Sequence, residues 1–206
     1  MMRALTRKIP LPKVLTRFIG ERRGVSAVEF ALVAPLMISL YFGCAEISDA
    51  IAVDRKVTLI AGTLANLAAS CGDSNSGSGG CTNNILSTTE INNIFAASSA
   101  IVSPYSAGSL KMSLSCIAID DKGNVTVPWS VPYNGGTKLT SFTFGAAQTN
   151  LKVNSTQLLY AVVSYAYTPL VGTTFIPSMT LSDSMFMTPR TQAPTYNDGS
   201  TSYTCG

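Results

Sequence analysis

The chain has 206 residues, enough for one ordinary domain plus a tail or an anchor. Only 12% of its residues are charged and 46% are apolar, and the mean hydropathy is +0.28, which excludes the profile of a free cytosolic enzyme. Histidine is absent, so Ser-His-Asp and Cys-His catalytic sites and imidazole metal ligands are excluded as well.

The net charge of +3 is unevenly placed. Residues 1–24 hold seven basic side chains against Glu21 alone, a net +6, which leaves −3 for the rest. A basic segment just before an apolar stretch is what the positive-inside rule keeps on the cytoplasmic side of a membrane. No aromatic interleaving or folded basic face accompanies these charges, so no nucleic-acid partner is expected.

The apolar stretch runs from Val25 to Ala45. As a helix its 21 residues span about 31 Å, close to the hydrocarbon thickness. A single pass is expected, with the N-terminus in the cytoplasm and residues 46–206 outside. An ordinary signal peptide would end at a small-residue cleavage site, but here a second helical pattern follows directly. Ala50, Val53, Val57, Ile60, Leu64 and Leu67 recur at spacings of three and four, predicting one helix face to about Ser70. Asp49, Asp54, Arg55, Lys56 and Asn66 fall on the other side. Pro35 is expected to kink or weaken the membrane half. Cys44 is expected to pack there as a small apolar residue.

Glu29 stands in the fifth place of the apolar span, where an ionised side chain costs on the order of 2.5 to 3.5 kcal/mol. Gly24 lies at the junction with the basic leader, giving Arg22-Arg23-Gly24-Val25-Ser26-Ala27-Val28-Glu29-Phe30. At these residues the sequence resembles a type IV prepilin. The resemblance implies cleavage by a membrane prepilin peptidase between Gly24 and Val25, with Glu29 fifth in a product of 182 residues. Ala27, Val28, Glu29, Phe30, Ala31, Leu32 and Pro35 together resemble the TadE-like minor pilins, or pseudopilins, of the Tad (tight adherence, Flp) pilus system. Leu158 to Pro169, with Thr180 to Ser184 and Arg190, is similar to that family's late strands. The major Flp pilins are much shorter, so the long region after Ser70 suits a minor component. The partners implied are the prepilin peptidase, the major Flp pilin, other minor pilins, the inner-membrane assembly platform and the lipid bilayer. Independently of the family, a carboxylate at Glu29 can pair with a new α-amino group at Val25 of an adjacent subunit, neutralising two costly charges and fixing the axial stagger.

Beyond Ser70 the chain turns to Gly, Ser, Asn and Thr, with 11 charged residues in positions 57–206. Cys71, Cys81, Cys116 and Cys205 lie on the expected outer side, where disulfides persist. Of three connectivities, Cys71 with Cys81 and Cys116 with Cys205 is favoured, the first closing a short loop and the second tying down the tail. A Cys-ligated metal lacks the paired C-x2-C spacing. Ser87-Thr-Thr-Glu90 has capping-box form and opens a helix to about Ser99. Leu110, Met112, Leu114 and Cys116 alternate with Lys111, Ser113 and Ser115, a strand ending at the turn Asp121–Asn124. Residues 125–131 return, Pro128 implying a sheet edge. Two more strands are expected over 157–168 and 178–187.

These elements predict an α+β fold: a long N-terminal helix, half membrane and half amphipathic, packed on a small antiparallel sheet of three to five strands, as in type IV pilins. The expected organisation is a cleaved leader over 1–24, a transmembrane helix over 25–45, its amphipathic continuation over 46–70 and a disulfide-stapled exported head over 71–206. Sites in the head are few. Asp120, Asp121 and Asn124 read as a hairpin connection rather than a calcium site. Asp73-Ser-Asn-Ser-Gly77 misses a D-x-S-x-S metal motif at its third and fifth positions. Tyr160, Tyr165 and Tyr167 read as packing rather than as an adhesive stripe. The function expected is a non-catalytic minor pilin that primes or supports assembly of a Tad/Flp pilus for surface adherence, needing no cofactor or metal, in a bacterial inner membrane. The alternative is a signal-anchored periplasmic or surface adhesin that never enters a filament.

Overall fold

The computed structural model describes residues 23–72, 81, 84–169 and 177–206. Residues 1–22 of the basic leader and the stretch holding Asp73 to Gly77 lie outside the described residues. Helix α1 runs Arg23–Ala69 over 47 residues, through Pro35, and gives way to a 3-10 turn at Ser70–Gly72. Strand β1 (Ile85–Ser87) leads into helix α2 (Thr88–Ser99), and then come β2 (Leu110–Ile119), β3 (Val125–Tyr133), β4 (Thr156–Tyr167), β5 (Met179–Met187), β6 (Thr195–Asn197) and β7 (Ser202–Tyr203). The chain divides into two compact units, Met1–Ala45 and Glu46–Gly206.

In the second unit the long strands form an antiparallel sheet in the order β3-β2-β4-β5. Pro128 and Pro132 lie on β3, an edge strand, where a missing N–H is tolerated. The helix face read from the sequence packs on this sheet: Val53, Val57, Ile60 and Leu64 have no exposed surface and share one core with Leu110, Met112, Leu114, Leu159, Ala161 and Val163. Burial of each such side chain contributes roughly 1.5 to 3 kcal/mol. Ala50 and Leu67 pack against the same core from its margins. The fold is thus the α+β arrangement of a long helix on an antiparallel sheet.

Helix α2 starts where its capping box lies. The Glu90 amide donates to Ser87 Oγ (3.3 Å), and the Ser87 amide donates to the Glu90 carboxylate (2.8 Å). Its buried side, Ile91, Ile94 and Phe95, joins the main core, with Phe95 stacked on Tyr133 at 5.0 Å between ring centroids. A second, small sheet of order β1-β6-β7 pairs β1 with β6 in parallel and β6 with β7 antiparallel.

Ser113 and Ser115, which alternate with the main-core residues along β2, are buried as well. The strap between β3 and β4, residues 134–155, crosses that face, and the Leu139 amide donates to Ser130 Oγ (2.9 Å), which in turn accepts from Ser115 Oγ (2.8 Å). Phe142 and Phe144 from the strap pack with Tyr160, Phe186, Ile117, Ile119 and Leu158 into a second core. The sheet is therefore covered on both faces. The strap begins at a turn with Asn134 and Gly135 at positive φ, and Asn134 Nδ2 donates to the Leu110 and Gly108 carbonyls (2.7 and 3.1 Å). The next residue passes so close to β2 that a Cβ on Gly136 would overlap the Met112 carbonyl oxygen.

Candidate functional site

The site residues of the N-terminal segment lie on one regular helix, which fixes their spacing. Gly24, Val25, Ala27, Val28, Glu29, Phe30, Ala31, Leu32 and Pro35 all fall within α1. With 1.5 Å per residue, Glu29 stands about 7.5 Å along the axis from Gly24, and Val25, Glu29 and Val33 share a face. The side chains are turned outward: Val28 is 61% exposed, and Phe30 and Leu32 are each 74% exposed. Among the described residues a Cβ at Gly24 would meet nothing within 4 Å, so their packing does not require the glycine. Cys44 is exposed as well, like most side chains of residues 24–45. The helix is long and apolar enough to cross a membrane by length and composition, with a mean hydropathy of 1.9 in an 18-residue window. So large an unpartnered apolar surface requires an apolar solvent or other chains around it.

In the second unit, the end of α1 is held by a group that the periodicity did not single out. The Arg190 amide donates to the Ala69 carbonyl (3.2 Å), and its guanidinium donates to Asn66 Oδ1 (2.9 Å). A cation is favourable at a helix C-terminus, where carbonyls lack helical partners. Further down the helix, Lys56 Nζ donates to the Ile101 and Ser103 carbonyls (3.0 and 2.6 Å), so this lysine ties α1 to the segment after α2 rather than standing in solvent.

The four cysteines of the second unit are brought together in pairs, Cys71 with Cys81 and Cys116 with Cys205, at Cα separations of 5.1 and 6.0 Å. The second bridge joins the sheet interior to the tail that carries β7. The three tyrosines of β4 divide between the faces. Tyr165 and Tyr167 lie in the main core, whereas Tyr160 stacks on Phe186 at 4.4 Å in the second core. Burial pushes the phenols of Tyr165 and Tyr167 up, and the carboxylates of Asp49 and Glu46 add to the effect at Tyr167. Tyr167 Oη donates to the Glu46 carbonyl (3.4 Å), at the start of the compact unit.

Asp120 closes the β2–β3 turn. Its carboxylate accepts from the Lys122 and Asn124 amides (2.9 and 2.7 Å) and from Asn124 Nδ2 (2.7 Å). These bonds, that from the Asn124 side chain foremost, hold its carboxyl below the ordinary value. Both carboxylate oxygens thus serve the hairpin. Among the described residues no group of three or more Cys, Asp or Glu is placed to hold a metal ion.

Neither the curated proteins nor the solved structures gave a match to this chain. The family comparison did, over residues 24–63, which spans the exposed apolar segment and the first turns of the buried one. The matching model is that of the TadE-like proteins, and the chain is consistent with a TadE-like protein of the Tad pilus system.

Proposed function

We propose that this chain is a minor pilin of a Tad/Flp pilus, cut after Gly24 by a membrane prepilin peptidase and used to prime or support pilus assembly. The TadE-like match supports a Tad pilus-associated protein of a structural rather than catalytic family. The observation that carries the finer reading is Gly24 and Glu29, five residues apart on a helix whose apolar side chains are outward and unpartnered.

Residues 1–24 act as the cytoplasmic leader, 25–45 cross the inner membrane, 46–70 continue the helix onto the head, and 71–206 complete the exported head. The positive leader sets this orientation. Cleavage creates an α-amino group on Val25, and Glu29 of a neighbouring subunit accepts it inside the apolar bundle, each charge removing the other's desolvation cost. The outward apolar side chains then pack against the major Flp pilin, other minor pilins and lipid, while the platform in the inner membrane receives the helix. The head gives the assembled structure its contacts for adherence.

Mass spectrometry of the mature protein tests the reading: a first residue of Val25 is expected, and any other start overturns it. Gly24→Ala blocks processing, and Glu29→Ala leaves the protein processed but absent from sheared pilus fractions. A chain that acts as an anchored adhesin outside any filament keeps full surface attachment in both variants.

A further inference from the structure

A cavity of about 580 Å³ opens along the edge strand β3, within the range of small-molecule sites. Trp129 lines it from β3, Tyr196 and Tyr203 from the small sheet, Asp198 from the turn between β6 and β7, and Lys138 and Thr140 from the strap. The three rings form a row: Trp129 and Tyr196 stand 5.9 Å apart between centroids, and Tyr196 and Tyr203 stand 6.1 Å apart with planes 18° from parallel. Tyr203 ends this row and is 38% exposed. Asp198 Oδ1 accepts from the Ser200 and Thr201 amides (2.8 and 2.7 Å), and Oδ2 makes only a long contact with Tyr203 Oη (3.4 Å). The amide bonds hold the Asp198 carboxyl below the ordinary range, so it is an ionised acceptor at neutral pH. Trp129 is 3% exposed, and its Nε1 is a buried donor with no acceptor.

This lining discriminates among ligand classes. One ammonium and one carboxylate give no net charge, so neither a free anion nor a free cation is favoured over the other. An added β-strand needs a row of N–H groups along the edge, and Pro128 and Pro132 remove two from β3. A lipid chain would leave the ammonium, the carboxylate and the hydroxyls of Thr140, Tyr196 and Tyr203 without water, at a cost of some kcal/mol for each group. A neutral sugar ring satisfies all of them: its C–H faces lie on tyrosine rings, and its hydroxyls donate to Asp198 and accept from Lys138.

We propose that the cavity bounded by Trp129, Tyr196, Tyr203, Lys138 and Asp198 is a binding site for a neutral oligosaccharide. The site belongs to the compact unit Glu46–Gly206 and holds whether or not the chain enters a pilus. The chain contains a single tryptophan, so Trp129 emission reports directly on this cavity.

The test uses the full chain in polyoxyethylene-detergent micelles, which carry no sugar headgroup, titrated into the millimolar range with chitotetraose, cellotetraose and maltotetraose. A saturable change in emission is expected with at least one of the three, weakened tenfold or more by Tyr203→Ala and by Lys138→Met. Both side chains are exposed, and an unchanged melting temperature in Lys138→Met keeps the comparison valid should Tyr203→Ala loosen the small sheet. No saturable response to any of the three sugars overturns the proposal. So does a response that both variants retain in full, or saturation by decaproline with none by the sugars, which assigns the groove to a proline-rich peptide.

Discussion

Replacing Cys116 and Cys205 together with alanine opens a loop closed over 89 residues, whereas replacing Cys71 and Cys81 opens one of only 10. The chain-entropy relation gives about 4.6 kcal/mol for the longer loop and about 2.7 kcal/mol for the shorter. The two losses thus differ by about 1.9 kcal/mol. The assay is urea unfolding of the full chain in micelles, followed by Trp129 emission. Trp129 is suited to this because it lies opposite Cys116 in the β2–β3 register. With an m-value of about 2 kcal/mol per molar, the midpoint falls by about 2.3 M in the first double variant and by about 1.3 M in the second. Equal losses, or a larger loss from the Cys71/Cys81 variant, would refute the reasoning that loop length sets the contribution of each bridge.

Three further outcomes follow from the packing and the turns. Gly136→Ala puts a methyl group against the Met112 carbonyl and is expected to cost about 1 to 3 kcal/mol in the same unfolding assay, as overpacking does; an unchanged midpoint would show that the strap lifts freely from β2. Ser87→Ala removes the Oγ that accepts the Glu90 amide and is expected to cost about 0.5 to 2 kcal/mol, measured by thermal unfolding, with no loss counting against the capping box. Asp120 has a folded-state pKa below its unfolded value, so its contribution to stability is present above the ordinary value of 3.8 and is lost as pH falls through the lowered one. Asp120→Asn is therefore expected to flatten the fall in midpoint below that pH, and an unaltered acid limb would remove Asp120 from the account.

Much of the second unit was legible because local and global signals agree there. The three- and four-residue spacing from Ala50 to Leu67 needs a single apolar surface to pack on, and the main core provides it. Ser87 and Glu90 satisfy each other across one turn, so their pattern needs no tertiary context. Pro128 excludes a central strand by lacking an N–H, and β3 is an edge. The unread parts depend on partners far along the chain. Strands β1, β6 and β7 have three, three and two residues, too short to display a period of two, and β1 meets β6 only through a pairing such as Leu86 with Tyr196. Ser113 and Ser115 alternate as solvent-facing residues do, because no periodic pattern marks the strap that covers them. Arg190 stood out only through the likeness to a family's late strands, since capping Ala69 is a relation between residues more than a hundred positions apart. In the N-terminal segment the sequence and the helix agree on the spacing of Gly24 and Glu29.

The separation between Cys116 and Cys205 also has a consequence for timing. At synthesis rates of about 5 to 20 residues per second, Cys81 follows Cys71 within roughly 0.5 to 2 s, but Cys205 follows Cys116 only after roughly 4 to 18 s. The local bridge can therefore close while the second pair is incomplete, leaving Cys116 and Cys205 as each other's remaining partners. Where the local bridge closes within that interval, the order in which the thiols emerge selects one pairing out of three before the sheet has gained its tail, and chains in which Cys71 is replaced should accumulate the mispaired Cys81 species that this order suppresses.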